Sequence, residues 1–366
     1  MMPPTASSCS LASEELNEKI VEMYAALSRL EYSNLPICEE EHLVWKYLKN
    51  PFGGSRGVHA YEGAQLIGRL SYQKRDFDYQ GSVIRGANLS DLLVHPKKRS
   101  LPIFLELTRL FFGGETVSDL DFSMMIPNGI ALPLYKKILG LVPCGKMPVY
   151  VLPLNLGKLL SSRWGNAMLP AGKLLGKSFQ WISKGKKRTI LEFRDHLPSH
   201  EDYVRMIRRW QSPCMISGSR NYRWHRWRFF EDTMRQYEVL YHYLDNELRG
   251  YTVTRILQTE GLYVLAVIDF VSTLRQGRLI SEIQREIFSR AQGVEADMVL
   301  SMHTDSAEGL KEFSQFPFLR VPNYLLPMPI EFFVLPYSNK KMLPGPGWDL
   351  SVFNNWYLTL ADFDIY

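Results

Sequence analysis

Cysteine is scarce: Cys9, Cys38, Cys144 and Cys214 are the only four in 366 residues. They form no CxxC and no metal-ligand set with histidine, which leaves out a disulfide framework and a zinc site of the usual spacing. The pattern predicts ordinary thiols in a reducing, cytoplasmic setting. No segment approaches the ~18 uninterrupted apolar residues of a membrane-spanning helix. The opening MMPPTASSCS has no basic cluster followed by an apolar run, so it does not read as a secretory signal. No P-loop and no serine–histidine–acid set is found.

What is present suits a two-domain protein. The length is long for one domain and natural for two of ~100–200 residues. Apolar residues make up 46% and aromatics 13%, ample for two cores. The net charge of +5 favours an anionic ligand, such as a phosphorylated one, without calling for nucleic acid.

A faint internal repeat runs through the chain at an offset of roughly 180 residues. YEGAQLIG (61–68) matches YLDNELRG (243–250), each a polar turn leading into an alternating run. ANLSDLLVHPKKRSLPIFLELTRLFF matches YVLAVIDFVSTLRQGRLISEIQREIF, with Arg99 set against Arg275. Ser123-Met124 matches Ser301-Met302, HLVWKY (42–47) faces YRWHRW (222–227), and each copy closes on a similar phrase, VYVLPL (149–154) and FFVLPY (332–337). Strands alternating with helices around a mixed sheet predict an α/β (α+β) class. The domains read as 1–154, a connector 155–195, and 196–366. Residues 12–30 read as an opening helix, with Ser13 as N-cap, Glu14 and Glu15 in the first turn, and Ile20, Met23, Tyr24, Leu27 and Leu30 on one face.

The chemistry concentrates in 86–140. DLLVHPKKR (91–99) is a buried strand broken at His95-Pro96, then a basic turn, then a helix from Leu101. Free N–H groups at such a helix start, with the dipole behind them, make an anion site. Downstream, PNGIALPLYKKILG (127–140) sets Asn128, Ala131 and Tyr135 at the spacing N-x-x-A-x-x-x-Y.

Together these segments resemble the GCN5-related N-acetyltransferase (GNAT) superfamily, where a V-x-P-x-x-R-G-x-G-x-G phrase binds the CoA pyrophosphate. The resemblance implies two tandem GNAT-like mixed-sheet domains with helices on both faces. It implies acyl transfer from acetyl-CoA, another acyl-CoA or an acyl carrier protein thioester to a small-molecule amine. It places Leu93, Val94, Arg99, Ser100, Leu101, Ile103 and Asn128 at the donor and makes Tyr135 the acid that protonates the leaving thiolate. Bacterial tandem GNAT proteins linked to polysaccharide or natural-product assembly share the character of the ending WYLTLADFDIY.

The departures carry meaning. Ser100, Pro102 and Phe104 stand where the family has glycines. Pro102 has no N–H to give, and Phe104 is expected to narrow the phosphate approach. A weakened pyrophosphate site leaves open an aminoacyl-tRNA-dependent transferase of the Fem type, or a non-catalytic GNAT-fold binding protein. The second copy has no tyrosine equivalent to Tyr135, so the first is expected to be the catalytic half and the second a wall of the acceptor cleft. The base stays open among Asp91, His95 and a tail cluster of Asp362, Asp364 and the Tyr366 carboxylate, as in N-myristoyltransferase. No metal is called for.

Residues 151–191 contain no acid at all, but include Lys158, Arg163, Lys173, Lys177, Lys184, Lys186, Lys187 and Arg188 among apolar and aromatic residues. Such a strip suits an anionic membrane face, which would place the protein peripherally on it, or an acidic carrier protein or tRNA. An interdomain crossover with a solvated basic edge is the other reading.

Overall fold

Alternation along one long strand sets the frame. In residues 66–72, Leu70 and Tyr72 join a cluster with Ile67, Leu107 and Phe111. Leu66 joins another with Tyr24 and Tyr47, and Arg69 and Ser71 bond that same side. Successive side chains of a strand point to opposite faces, and a register shift at Ile67 puts Leu66 and Ile67 out of step with the residues that follow; apolar clusters lie on both faces.

The computed structural model describes residues 9–32, 35–155, 157–158, 190–211, 215–259, 261–306, 308–315, 317–337 and 349–363. The first part of the chain forms β1 (Cys9–Glu15), α1 (Glu18–Arg29), α2 (Glu40–Leu43), β2 (Arg56–Glu62), β3 (Gln65–Tyr79), β4 (Ser82–Val94), α3 (Leu101–Phe112), β5 (Phe122–Met125), α4 (Ala131–Lys137), β6 (Gly145–Lys146) and β7 (Val149–Pro153). The second forms β8 (Glu192–Arg194), α5 (His200–Trp210), β9 (Ile216–Gly218), α6 (Tyr222–Phe230), β10 (Glu238–Leu244), β11 (Glu247–Thr259), β12 (Leu262–Ser272), α7 (Gly277–Gly293), β13 (Met298–Met302), α8 (Glu308–Phe313), β14 (Leu319–Arg320), β15 (Glu331–Pro336) and β16 (Trp356–Tyr357). Most of the basic connector, Cys214, Asp364 and Tyr366 lie outside the described residues. Among the described residues, no helix is long and apolar enough to cross a membrane.

Two mixed sheets result. One runs β1-β2-β3-β4-β5-β15-β6, with β9 and β16 attached beyond β3. The other runs β14-β7-β13-β12-β11-β10-β8. Each contains the same unit: an antiparallel meander (β2-β3-β4, β10-β11-β12), a helix (α3, α7), and a strand parallel to the meander's last (β5, β13).

Tryptophans from the two matched phrases meet, although Trp45 stands opposite His225 in that match. Trp45 and Trp227 stack with centroids 4.4 Å apart. Trp45 Nε1 donates to Trp227 O at 2.9 Å, and Trp227 Nε1 donates to Trp45 O at 3.1 Å. A reciprocal contact is what a two-fold relation produces.

The closing phrases correct the sequence reading: they are exchanged. β7, from the first half, lies antiparallel to β13 in the second sheet, and β15 lies antiparallel to β5 in the first. Sequence proximity suggested that each phrase closes its own copy; sheet register sends each to the other.

The chain's opening is corrected too. Residues 9–15 form a strand paired with β2, Ser13 opposite Val58, and Ser13 Oγ lies 2.7 Å from Thr116 Oγ1. The helix starts later, where Asn17 Oδ1 accepts the Ile20 N–H at 3.1 Å. Pairing along β2 overrides the local capping signal. Ile20, Tyr24 and Leu27 are buried as the stripe predicts, while Leu30 is exposed just past the helix.

Candidate active site

β4 and β5 bond in parallel only from Gly86 to Asn88, opposite Phe122 to Met124. They diverge beyond that, and the gap between them is a cleft of about 310 Å³. One wall is Asn88 to Leu93; the other is Met125 to Asn128, continued by Ala131 and Tyr135.

A β-bulge bends the first wall. Ser71 pairs with Ser90 and Arg69 with Leu93, so Leu70 faces both Asp91 and Leu92. Asp91 takes a φ of 58°, which aspartate tolerates better than most residues. A bulge bends its strand and breaks the ladder locally, presenting backbone groups to the cleft.

The Asp91 carboxylate is held by the helical turn 44–48 that follows α2. Its Oδ2 accepts from Lys46 Nζ at 2.9 Å and from the Tyr47 hydroxyl. The Lys46 and Asp91 side chains are 0% and 4% exposed.

The other wall carries the spaced residues. Asn128 Oδ1 accepts the N–H groups of Ile130 (3.1 Å) and Ala131 (2.9 Å), so Asn128 starts α4 by capping it. Two turns on, Tyr135 is buried. Burial raises its hydroxyl above the ordinary value of 10.0, so it stays protonated at neutral pH. Among the described residues its hydroxyl has no hydrogen-bond partner, although Tyr135 lines the cleft. Lys136 ties α4 down by an ion pair to Glu331 on β15 at 2.9 Å.

The basic turn sits beside the cleft. Of the residues expected at the donor, Leu93 and Asn128 line the cleft; Val94, Arg99, Ser100, Leu101 and Ile103 form the adjoining turn and helix start. Arg99 pairs with Glu31 at 2.7 Å and its Nε donates to Val94 O at 3.3 Å. Lys98 pairs with Glu62 at 2.8 Å. Ser100 has extended backbone at the N-cap position, and Pro102 fills the first turn, where no intrahelical N–H is needed. His95 Nδ1 accepts the Lys97 N–H at 3.2 Å, a turn role away from the cleft. Phe104 does not narrow any phosphate approach. It is 4% exposed and packs edge-on against Tyr135, 6.0 Å between centroids, because its place in the first turn faces the core.

Three further residues complete the cleft: Tyr32 from just past α1, Asn88 on β4, and Phe363 from the chain's last segment. Asn88 Nδ2 donates to Asp362 O at 2.6 Å, and Arg228 Nη2 donates to Phe363 O at 3.3 Å. Asp362, expected in an acidic tail cluster, is a buried anchor. It pairs with Arg75 and with Arg220, both at 2.8 Å. Arg220 also pairs with Asp269 at 3.0 Å, and these side chains are all 5% exposed or less.

The matching gap in the second sheet is filled by the chain itself. β12 and β13 bond from Val264 to Val267, opposite Met298 to Ser301, with a bulge at Ile268. Beyond them lie residues 356–363: Leu358 O accepts from Thr304 N at 3.0 Å, Thr359 Oγ1 donates to Asp269 Oδ1 at 2.8 Å, and the Tyr357 hydroxyl donates to Phe270 O.

No protein-family model matches this chain, and no curated protein matches it. Solved structures do, and they define a class: the chain has the GNAT fold. A GCN5-related N-acetyltransferase from Anabaena variabilis is similar at 11% identity and a TM-score of 0.58, over 89% of this chain and 72% of that one. Saccharomyces cerevisiae N-myristoyltransferase with bound myristoyl-CoA is similar at 13% identity and a TM-score of 0.56, over 91% and 84%. A probable N-acyltransferase from Enterococcus faecalis is similar at 10% identity and a TM-score of 0.56, over 90% and 71%.

Proposed function

We propose that this chain is an N-acyltransferase, moving an acetyl or longer acyl group from a thioester to a small-molecule amine, with the first half as the catalytic half of a duplicated chain. The observation that carries this is the open β4–β5 cleft, bulged at Asp91 and faced by Tyr135, on a GNAT fold. In this reading the thioester carbonyl lies against the bulge, whose backbone N–H groups polarise it. The neutral amine attacks the carbonyl carbon, the C–S bond breaks, Tyr135 gives its proton to the departing thiolate, and the surplus proton on the nitrogen is lost to water, from which Tyr135 is reprotonated.

Acyl-CoA or acetyl-CoA is the first donor class to test. A carrier-protein thioester is the second, favoured by a turn whose Lys98 and Arg99 are already paired with carboxylates. The basic strip 151–191 would then meet the acidic carrier or an anionic membrane surface from the cytoplasmic side. Co-sedimentation with carrier protein and with anionic vesicles, at low and high salt, separates these partners; binding to neither removes the strip's role.

The test is thiol release from a panel of acyl-CoA and acyl-carrier thioesters in the presence of an amine library. Tyr135→Phe should lower turnover by roughly ten- to a thousandfold, the weight of one proton donor, while the chain stays folded. Unchanged turnover in an active preparation removes Tyr135 from the mechanism; no turnover with any thioester removes the acyltransferase reading.

A further inference from the structure

In the second sheet β11 outruns its neighbour. β10 starts at Glu238, opposite Thr254, while β11 continues to Thr259. Beyond Thr254 this edge of β11 has no strand partner among the described residues. A hollow of about 430 Å³ lies at this step and shares no lining residue with the cleft. Sites for small molecules run from roughly 300 to 1,000 Å³, so the space is of that size.

Arginine dominates the polar lining. Arg235 comes from the turn between α6 and β10, Arg255 from β11 and Arg290 from α7. Two of the three are held by carboxylates. Arg235 lies 3.8 Å from Asp232, and Arg290 pairs with Glu286 at 2.9 Å and with Glu238. Glu238 is the one carboxylate among the described residues lining the hollow, and Arg290 already takes it. Arg255 differs. It is half-buried, with its guanidinium 5.9 Å from the centre of the Tyr237 ring, and it has no carboxylate partner among the described residues.

The charge around Arg255 is out of balance. The Tyr237 ring also lies 5.4 Å from the guanidinium of Arg228, whose Nη1 donates to the Tyr237 hydroxyl at 2.8 Å. Arg228 is buried and otherwise donates to the carbonyl oxygens of Ala361 and Phe363. Three guanidiniums, of Arg228, Arg235 and Arg255, thus gather near the single carboxylate of Asp232. That carboxylate also accepts the Met234 N–H at 3.0 Å and lies 3.7 Å from His42 Nδ1. Burial lowers the Arg255 pKa, and the nearby Arg235 and Arg228 add to the fall. Like charges held together out of water repel, and an anion seated among them removes that cost.

The remaining lining is apolar. Met234, Ile256 and Val294 are exposed around the hollow, and Leu265 of β12 is buried against it. Singly, exposed apolar side chains mean little. Three of them beside a guanidinium that lacks a carboxylate suit a ligand with one anionic end and one apolar end.

We infer that this hollow in the second half binds a small amphipathic oxyanion, a carboxylate or a phosphate monoester with a short aliphatic body. Its oxygens bond Arg255, since a planar guanidinium offers carboxylate and phosphate two parallel N–H donors. Its chain lies against Met234, Ile256 and Val294. The site is separate from the cleft and does not depend on the acyl-transfer reading.

Isothermal titration of the full chain at fixed ionic strength tests this, with hexanoate and hexyl phosphate as probes and hexanol as the uncharged control. At least one oxyanion should bind saturably at one site per chain, and the tighter of the two names the head group. Hexanol should bind about tenfold more weakly or not at all, and Arg255→Gln should weaken the oxyanion about tenfold or more, the weight of one charge-assisted hydrogen bond. Ile256→Glu places a competing carboxylate at an exposed position on the hollow and should weaken it as well. No saturable binding of either oxyanion overturns the site. So does equal binding of hexanol, or an affinity unchanged in either folded variant, which would put the bound anion elsewhere. If Arg255→Gln does not fold, Ile256→Glu decides by the same titration.

Discussion

The two halves of this molecule have the same frame and put it to opposite use. In each, a bulge bends the last strand of a meander, and the strand parallel to it diverges. In the first half the gap stays open as the cleft. In the second, residues 356–363 occupy it and satisfy its backbone and side chains. A bulged, splayed strand pair carries polar groups that need partners; one half meets that need with its own chain, and the other leaves the gap open. The difference is also electrostatic. The filled gap is locked by the fully buried Arg220, Asp269 and Asp362, whereas Tyr135 faces the open one with no partner among the described residues.

The largest effect expected from this contrast is on stability in the filled half. Arg220→Ala strands two buried carboxylates, and removing one partner of a buried pair costs about 3–5 kcal/mol. Tyr135→Phe in the open half removes a hydroxyl with no described partner and should cost less than about 1 kcal/mol. Urea unfolding of both variants measures the contrast; equal losses would break it.

Acid should weaken the second half more. His225 and His242 are pushed down to about 3 and His303 to about 4, all by burial, from an ordinary 6.5. Each is neutral when folded and takes up a proton readily when unfolded. Their contribution is therefore complete above pH 6.5 and is lost as pH falls from 6.5 toward the folded values. At pH 5.5 the loss is about 1.4 kcal/mol for each. Unfolding followed by tryptophan fluorescence from pH 7.5 to 5 should show it, and His225→Phe should blunt the slope; a flat profile counts against the buried neutral state.

The smallest effect concerns the capped wall. Asn128→Ala should cost about 1 kcal/mol, the usual weight of an N-cap, and Asn128→Asp should keep most of it. Thermal unfolding of both resolves whether Asn128 acts chiefly as a cap. Equal stability of Asn128→Ala and wild type would free Asn128 for a role toward a ligand.

Much of the fold was legible in local pattern. The strand–turn–helix of 91–112 and the N-x-x-A-x-x-x-Y spacing each lie within one short segment, so periodicity and turn residues expose them. The helix start was misread because Ser13-Glu14-Glu15 mimics a cap, while the pairing that makes it a strand comes from residues 56–62. Phe104 was misread because its direction depends on Tyr135, thirty-one residues away. Tyr32 had no signal, because it reaches the cleft from a different part of the chain; Asn88 lies in the strand 86–94 expected to wall the cleft, and Phe363 is one of the tail aromatics expected to dock.

The sequence by itself determined the α/β class and carried the strand, basic turn and helix of 91–112, because these follow from side-chain periodicity and turn chemistry within short stretches. Only the tertiary structure decided that the closing strands cross over, that Asp91 belongs to Lys46 and Tyr47, and that the last segment fills one gap and borders the other. Those outcomes depend on which distant groups meet with matching register, charge and volume. Local sequence carries no record of that, since register and burial belong to pairs of segments.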